Sequence, residues 1–151
     1  MDRVNDAALL IGRLLMASLF LTASIPKAIG YINQDQVYTG FLRAVTNAGL
    51  PYPEVWALIG IAVEVLGPIA LLLGIFPRIS ALLMIAFVIV ATGIAHLFWQ
   101  YPEAQYMAQR GQFFKNIALI GGLLFYYVSG PGAWSLAGRG VGVGAAQPAR
   151  A

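Results

Sequence analysis

Cysteine is absent from this chain, which removes disulfide exchange, thiolate catalysis and iron–sulfur ligation from the chemistry its own side chains can perform. Histidine occurs once, at His96, so bis-histidine haem ligation is excluded, and Met84 and Met107 are not placed as haem ligands. Glu64 and His96 together are too few ligands for a metal centre. No Ser-His-Asp set, P-loop or dinucleotide fingerprint is present, so neither metal, haem nor nucleotide is expected. Charge is scarce as well: Asp, Glu, Lys and Arg make up 10% of the residues, against about 25% in soluble domains. The net charge of +3 reads as topology and lipid contact, not as nucleic-acid binding.

What is present is apolar. Hydrophobic residues make up 60% of the 151 residues, and the mean hydropathy is +0.77. The expected class is an all-α integral membrane protein, a four-helix transmembrane bundle with one or two short interfacial helices and no soluble catalytic module. A membrane crossing takes about 20 mostly apolar residues. Four stretches qualify, at about 8–28, 55–76, 79–98 and 113–129, the last short and polar at its start. The first reads as a retained helix and not a cleaved leader. Its head carries Asp2, Arg3 and Asp6, Arg13 interrupts it, and Pro26-Lys27 lies where small residues would mark a cleavage site.

The connections differ in kind. Gly74 to Arg78 is a tight turn, making the second and third helices antiparallel neighbours. The other two loops are longer and fall on the opposite side. From Asp35 to Ala48 the pattern is helical and amphipathic, with Val37, Phe41, Val45 and Ala48 on one face, Asp35 as N-cap and Gly49 with Pro51 as the stop. Pro102 to Arg110, closed by Gly111, reads as a second interfacial helix. Tyr31, Tyr38, Tyr52, Trp56, Trp99, Tyr101 and Tyr106 on the long-loop side, with Tyr126, Tyr127 and Trp134 on the other, match aromatic belts at two interfaces. The stretch after Gly130 is Gly/Ala-rich, and a flexible tail is expected over 137–151 beyond a transmembrane domain at 1–136. Basic residues divide almost evenly between the two sides, and both termini are assigned to the cytoplasm.

The functional signal lies in Glu64, in the middle of an apolar run. A charge at that depth costs at least ~2.5–3.5 kcal/mol on insertion scales and persists where it faces partners or a polar cavity. Pro68, four residues on, cannot donate to the Glu64 carbonyl. Helical spacing puts Arg13, Ala17, Phe20, Ser24 and Lys27 on one face of the first helix, and Gly60, Glu64, Gly67, Leu71 and Gly74 on one face of the second. Ile89, Thr92 and His96 share a face of the third, and Lys115, Ala118 and Gly122 a face of the fourth. With alternating helices, Lys27, His96, Gln112, Lys115 and Asn116 gather toward the long-loop side, Glu64 sits near mid-depth, and Arg13 lies on the tight-turn side within reach of Glu64.

Two readings stand at this point. In one, Glu64 and His96 are reactive groups and Arg13, Lys27, Gln112, Lys115 and Asn116 bind a ligand. In the other, Glu64 pairs with Arg13 or Lys27 to fix helix register, the lysines reach the headgroups, His96 is interfacial, and the amides are interhelical hydrogen-bond partners.

These residues resemble the DoxX family of small four-helix membrane proteins. The segments that carry the resemblance are GRLLMASLFLTASIPKAIG, GLPYPEVWALIGIAVEVLGPIALLLGIFPRISALLM, ATGIAHLFW and GQFFKNIALIGGLLFYYVSGPGAWSL, from about Leu10 to Leu136. Within them stand Arg13, Lys27, Glu64, Gly67, Arg78, His96, Gln112, Lys115, Asn116 and Gly130-Pro131-Gly132, while Ala137 stands where the family often has an acidic residue. The resemblance implies a link to quinol or thiosulfate:quinone oxidoreductases of the respiratory membrane, a quinone as cofactor, and a soluble or membrane redox partner. It suits an inner-membrane, multi-pass protein able to form a homo-oligomer. The expected function is a redox-linked subunit binding a quinone or small anion in a polar pocket between helices. The alternatives are a non-enzymatic assembly or scaffold protein, and a small-anion carrier.

Overall fold

The structure is a computed structural model and describes residues 3–138. Its elements are α1 (Arg3–Asn33), α2 (Gln36–Asn47), α3 (Pro53–Leu73), α4 (Pro77–Ala95), a 3₁₀ turn (Phe98–Gln100) and α5 (Glu103–Ser129). The described residues form helices and no strand, as expected from the sequence. α1, α3 and α4 with its 3₁₀ extension are long and apolar enough to cross a membrane.

α5 is less apolar because Glu103, Arg110 and Lys115 occupy its first half. Its contacts nonetheless run the length of the bundle. Gln109 bonds His96 at one end of α4, Asn116 bonds Thr92 one turn deeper, and the Tyr126 hydroxyl bonds the Leu71 carbonyl at the far end of α3. α5 therefore lies antiparallel to α4 as the fourth helix of a membrane bundle.

Several boundaries differ from the sequence expectation. α1 continues through Pro26 for two further turns, past the expected end at 28. The expected interfacial helix at 102–110 and the fourth span at 113–129 are one continuous helix. Gly111 does not end it, since an interior glycine costs about 1 kcal/mol without breaking the hydrogen-bond ladder. Only α2 is a separate short helix. Asp35 caps it as expected, with Oδ1 accepting from the amides of Val37 at 2.8 Å and Tyr38 at 3.2 Å. Its buried side chains are Tyr38 and Val45, while Val37 is exposed, so the inner face is rotated from the expected stripe. α2 packs across the ends of α1 and α3. On α4 the inner face is Ser80, Ala81, Met84, Val88 and Thr92, and Ile89 points outward.

Two apolar clusters hold the bundle. One joins all four long helices through Phe20, Leu71, Ala81, Met84, Val88, Leu123 and Tyr126. The other sits under α2 and contains Tyr38, Val45, Ala57 and Ile61. Gly67 permits the close α3–α4 crossing, because a Cβ there would run into the Met84 side chain.

The expected domain boundary falls at Leu136, before the flexible tail expected over 137–151. Residues 130–138 fold back beneath the tight-turn end, and the rest of that tail lies outside the described residues. A helix leaves its last four carbonyls without internal partners, and at α3 every one of them is met. Ile75 N bonds Ala70 O at 2.9 Å and Gly74 N bonds Leu71 O at 3.2 Å, in the manner of a Schellman cap. Arg13 Nη1 bonds Leu72 O at 2.5 Å, and Leu136 N bonds Leu73 O at 2.9 Å. Arg13 Nη2 also bonds Trp134 O at 2.6 Å, and Asp6 Oδ1 accepts from Ala133 N at 2.9 Å. The start of α1 and the 130–138 strap thus lie at the same end of the bundle.

Gly74 is central to this closure. Its φ is +70°, and a Cβ there would lie 2.6 Å from Ser135 Cβ and 2.9 Å from Pro131 Cβ. Gly74→Ala combines left-handed strain with overpacking, so a destabilisation of roughly 3 kcal/mol is expected. Thermal unfolding in detergent checks this; a variant as stable as wild type would show that the strap yields freely.

Candidate functional site

Between the two apolar clusters lies a cavity of about 710 Å³. It is a half-open cleft lined by α1, α3, α4 and α5, and roofed by Val37, Phe41, Ala44 and Val45 of α2. Its volume falls within the ~300–1,000 Å³ typical of ligand pockets. The lining is mostly apolar, with one polar group of side chains: Lys27, Glu64, His96, Gln112, Lys115 and Asn116.

Each helix brings its part through regular spacing. Lys27 ends the inner face of α1, and Glu64 lies near the midpoint of α3, a helix about 30 Å long at 1.5 Å per residue. Lys27 Nζ and Glu64 Oε2 form an ion pair at 2.6 Å, with 24% and 8% of the two side chains exposed. The Lys27 ammonium also lies 4.9 Å from the centre of the Phe41 ring, so the roof helix rests on the ion pair. His96 is the first residue past α4, and its Nδ1 lies 2.8 Å from Gln109 Oε1. An amide oxygen accepts only, so this pairing places a proton on Nδ1. Asn116 Nδ2 donates to Thr92 Oγ1 at 2.9 Å, and that hydroxyl donates to Val88 O at 2.6 Å. Lys115 Nζ donates to Gln112 Oε1, one turn away on the same helix.

Six of the seven residues expected from the sequence therefore line one cavity. Arg13 is the exception. It is 2% exposed, but its guanidinium binds the carbonyls of Leu72 and Trp134 at the opposite end of the bundle, and Glu64 pairs with Lys27 instead. The reason is depth: Arg13 lies fourteen residues before Lys27 along α1, at the level of Leu72 near the end of α3 and not of Glu64 at its middle.

The DoxX family profile matches residues 8–97, which span most of α1 and all of α2, α3 and α4. The chain belongs to the DoxX family. Two bacterial proteins are similar to this DoxX chain over nearly its whole length. Inner membrane protein YphA of Escherichia coli (strain K12) is 30% identical over 128 residues, covering 85% of this chain and 86% of that protein. Inner membrane protein YqjF of the same organism is 30% identical over 136 residues, covering 90% and 94% respectively. No solved structure matches the chain.

Two features of this DoxX cavity escaped the sequence reading. Gln109, which holds His96, lies three residues before Gln112 on the same helical face. That relation was hidden once a boundary had been set at Gly111. The second is the roof. Phe41 was read as part of a membrane-facing stripe, whereas it stands over Lys27.

Proposed function

We propose that this DoxX protein is an inner-membrane, redox-linked subunit that binds the head of a quinone in the polar part of the cavity, with both termini on the cytoplasmic side. The observation that carries the reading is the cavity itself: a mostly apolar volume of about 710 Å³ with hydrogen-bonding groups from four helices at one place. A quinone needs that combination, an apolar wall for ring and tail and donors for two ring oxygens. Lys115, Gln112 and Asn116 supply donors and acceptors, and His96 and the Lys27–Glu64 pair offer groups that exchange protons when the ring is reduced or oxidised. A chain without cysteine cannot hold an iron–sulfur cluster through thiolates, so electrons pass to the quinone from a redox partner. The inner-membrane location follows the names of both relatives.

Purification in mild detergent, followed by extraction and mass analysis, tests the reading. Quinone is expected at near-stoichiometric amounts in wild type and at much lower amounts in folded His96→Ala. Wild type free of quinone, and unable to take up added quinone, refutes it. One observation favours a second reading, a non-enzymatic assembly protein. The polar groups satisfy one another across helices, as Lys27–Glu64, His96–Gln109 and Asn116–Thr92, which is what a bundle locked only for stability requires.

A further inference from the structure

The cavity is not electrically balanced. Its charged lining consists of Lys27, Glu64 and Lys115. Lys27 and Glu64 cancel at 2.6 Å. Lys115 has the neutral oxygen of Gln112 as its hydrogen-bond acceptor, and among the described residues no carboxylate lies within salt-bridge distance of it. One ammonium, on an exposed residue of α5, thus stands at the edge of a mostly apolar cleft with no carboxylate paired to it among the described residues. An anionic head entering the cleft there meets a cation that no carboxylate already neutralises, whereas a neutral head gains only a hydrogen bond.

The rim of the cleft indicates where such a head comes from. Ile59 of α3 and Leu83 and Val90 of α4 belong to the lining, and each is about half exposed (46%, 59% and 57%). They stand on helices that are long and apolar enough to cross a membrane, so the opening between them faces hydrocarbon. A ligand arriving by that route is lipophilic along most of its length.

We infer that the cavity takes a lipophilic monoanion, an amphiphile whose head bears one negative charge against Lys115 Nζ while its apolar body lies along α3 and α4. Lys115 is then the residue that selects for charge, and the Lys27–Glu64 pair is a neutral wall. The inference rests on reading the cavity as a ligand site and deepens it: among quinones, the preferred species is one with an ionised ring hydroxyl. A fatty-acid carboxylate shares this chemistry, and the test separates the two sources.

Three probes are offered to the full chain in detergent: a 2-hydroxy-3-alkyl-1,4-naphthoquinone, which is anionic at neutral pH, its neutral 2-methoxy counterpart, and hexadecanoate. Wild type is expected to hold the anionic naphthoquinone at least about tenfold more tightly than the neutral one. Lys115→Gln should erase that preference at a thermal unfolding midpoint equal to that of wild type, which shows that the variant is folded, and Lys115→Arg should keep it. Equal affinity for the two naphthoquinones in wild type overturns the inference and leaves the quinone reading standing. A preference that survives in Lys115→Gln overturns the role of Lys115. Binding of hexadecanoate but neither naphthoquinone, with loss in Lys115→Gln, supports the monoanion site and overturns the quinone reading. No binding of any probe overturns both.

Discussion

Glu64→Gln is expected to destabilise the bundle by about 3 kcal/mol, because it leaves the Lys27 ammonium without its counter-charge inside the helix bundle. Breaking a buried pair costs about 3–5 kcal/mol, and the low end applies because Lys27 keeps about a quarter of its side chain accessible. Lys27→Met should cost at least as much, since the stranded group is then the more deeply buried Glu64 carboxylate. The double variant Lys27→Met/Glu64→Leu should recover most of the loss, because apolar side chains of similar size remove both desolvation penalties together. The midpoint of thermal unfolding in detergent reads all three. Single variants as stable as wild type would mean that the pair contributes nothing to the fold. The double variant also separates the two functional readings. A stable double variant that no longer retains quinone assigns the pair to the ligand site, whereas one that is stable and functionally intact assigns it to the architecture of an assembly protein.

The second large effect is expected at Arg13, and its signature is the opposite. Arg13→Met removes two charge-assisted hydrogen bonds, to Leu72 O and Trp134 O, each worth roughly 1.5–3 kcal/mol. Because the carbonyls regain some hydration, a net loss of about 3 kcal/mol is expected. The 130–138 strap should open, so limited proteolysis should cut within it. Arg13→Lys should restore less than half of the loss, since one ammonium cannot reach two carbonyls as a planar guanidinium does. The cavity lies at the other end of the bundle, so the folded fraction of Arg13→Met should bind ligand as wild type does. Loss of binding at unchanged stability would place Arg13 in the site after all.

These two residues also mark what could be read from the sequence and what could not. Helical periodicity put Arg13, Ala17, Phe20, Ser24 and Lys27 on one face, and that face is the one α1 turns inward. The same periodicity placed Glu64 inside the bundle. On α4 it placed Thr92 and His96 on the inner side but not Ile89, which is exposed while Met84 and Val88 fill the packing surface. It failed at Gly111, where a local stop signal was overridden by contacts of α5 along its whole length. Partner choice was the least legible quantity. Arg13 and Lys27 are both cations on one stripe, and their partners depend on how far each helix slides past the next. The carbonyls that hold Arg13 become available only because α3 ends at Leu73 and the chain returns at Trp134, events far away in sequence. A roof formed by α2 was equally hidden, since an amphipathic helix pattern does not say which surface receives its apolar face.

The strap also has a consequence for biogenesis. Arg13 enters the bilayer with the first helix, but its partners are encoded 59 and 121 residues later. At translation rates of about 5–20 residues per second, the guanidinium waits several seconds or more for its second acceptor. During that interval its free donors turn to water, protein or lipid headgroups, because the hydrocarbon core has no hydrogen-bond acceptors. The first helix is therefore fully satisfied only after residues 130–138 have been made, so the beginning of the chain is secured by a segment synthesised more than a hundred residues later.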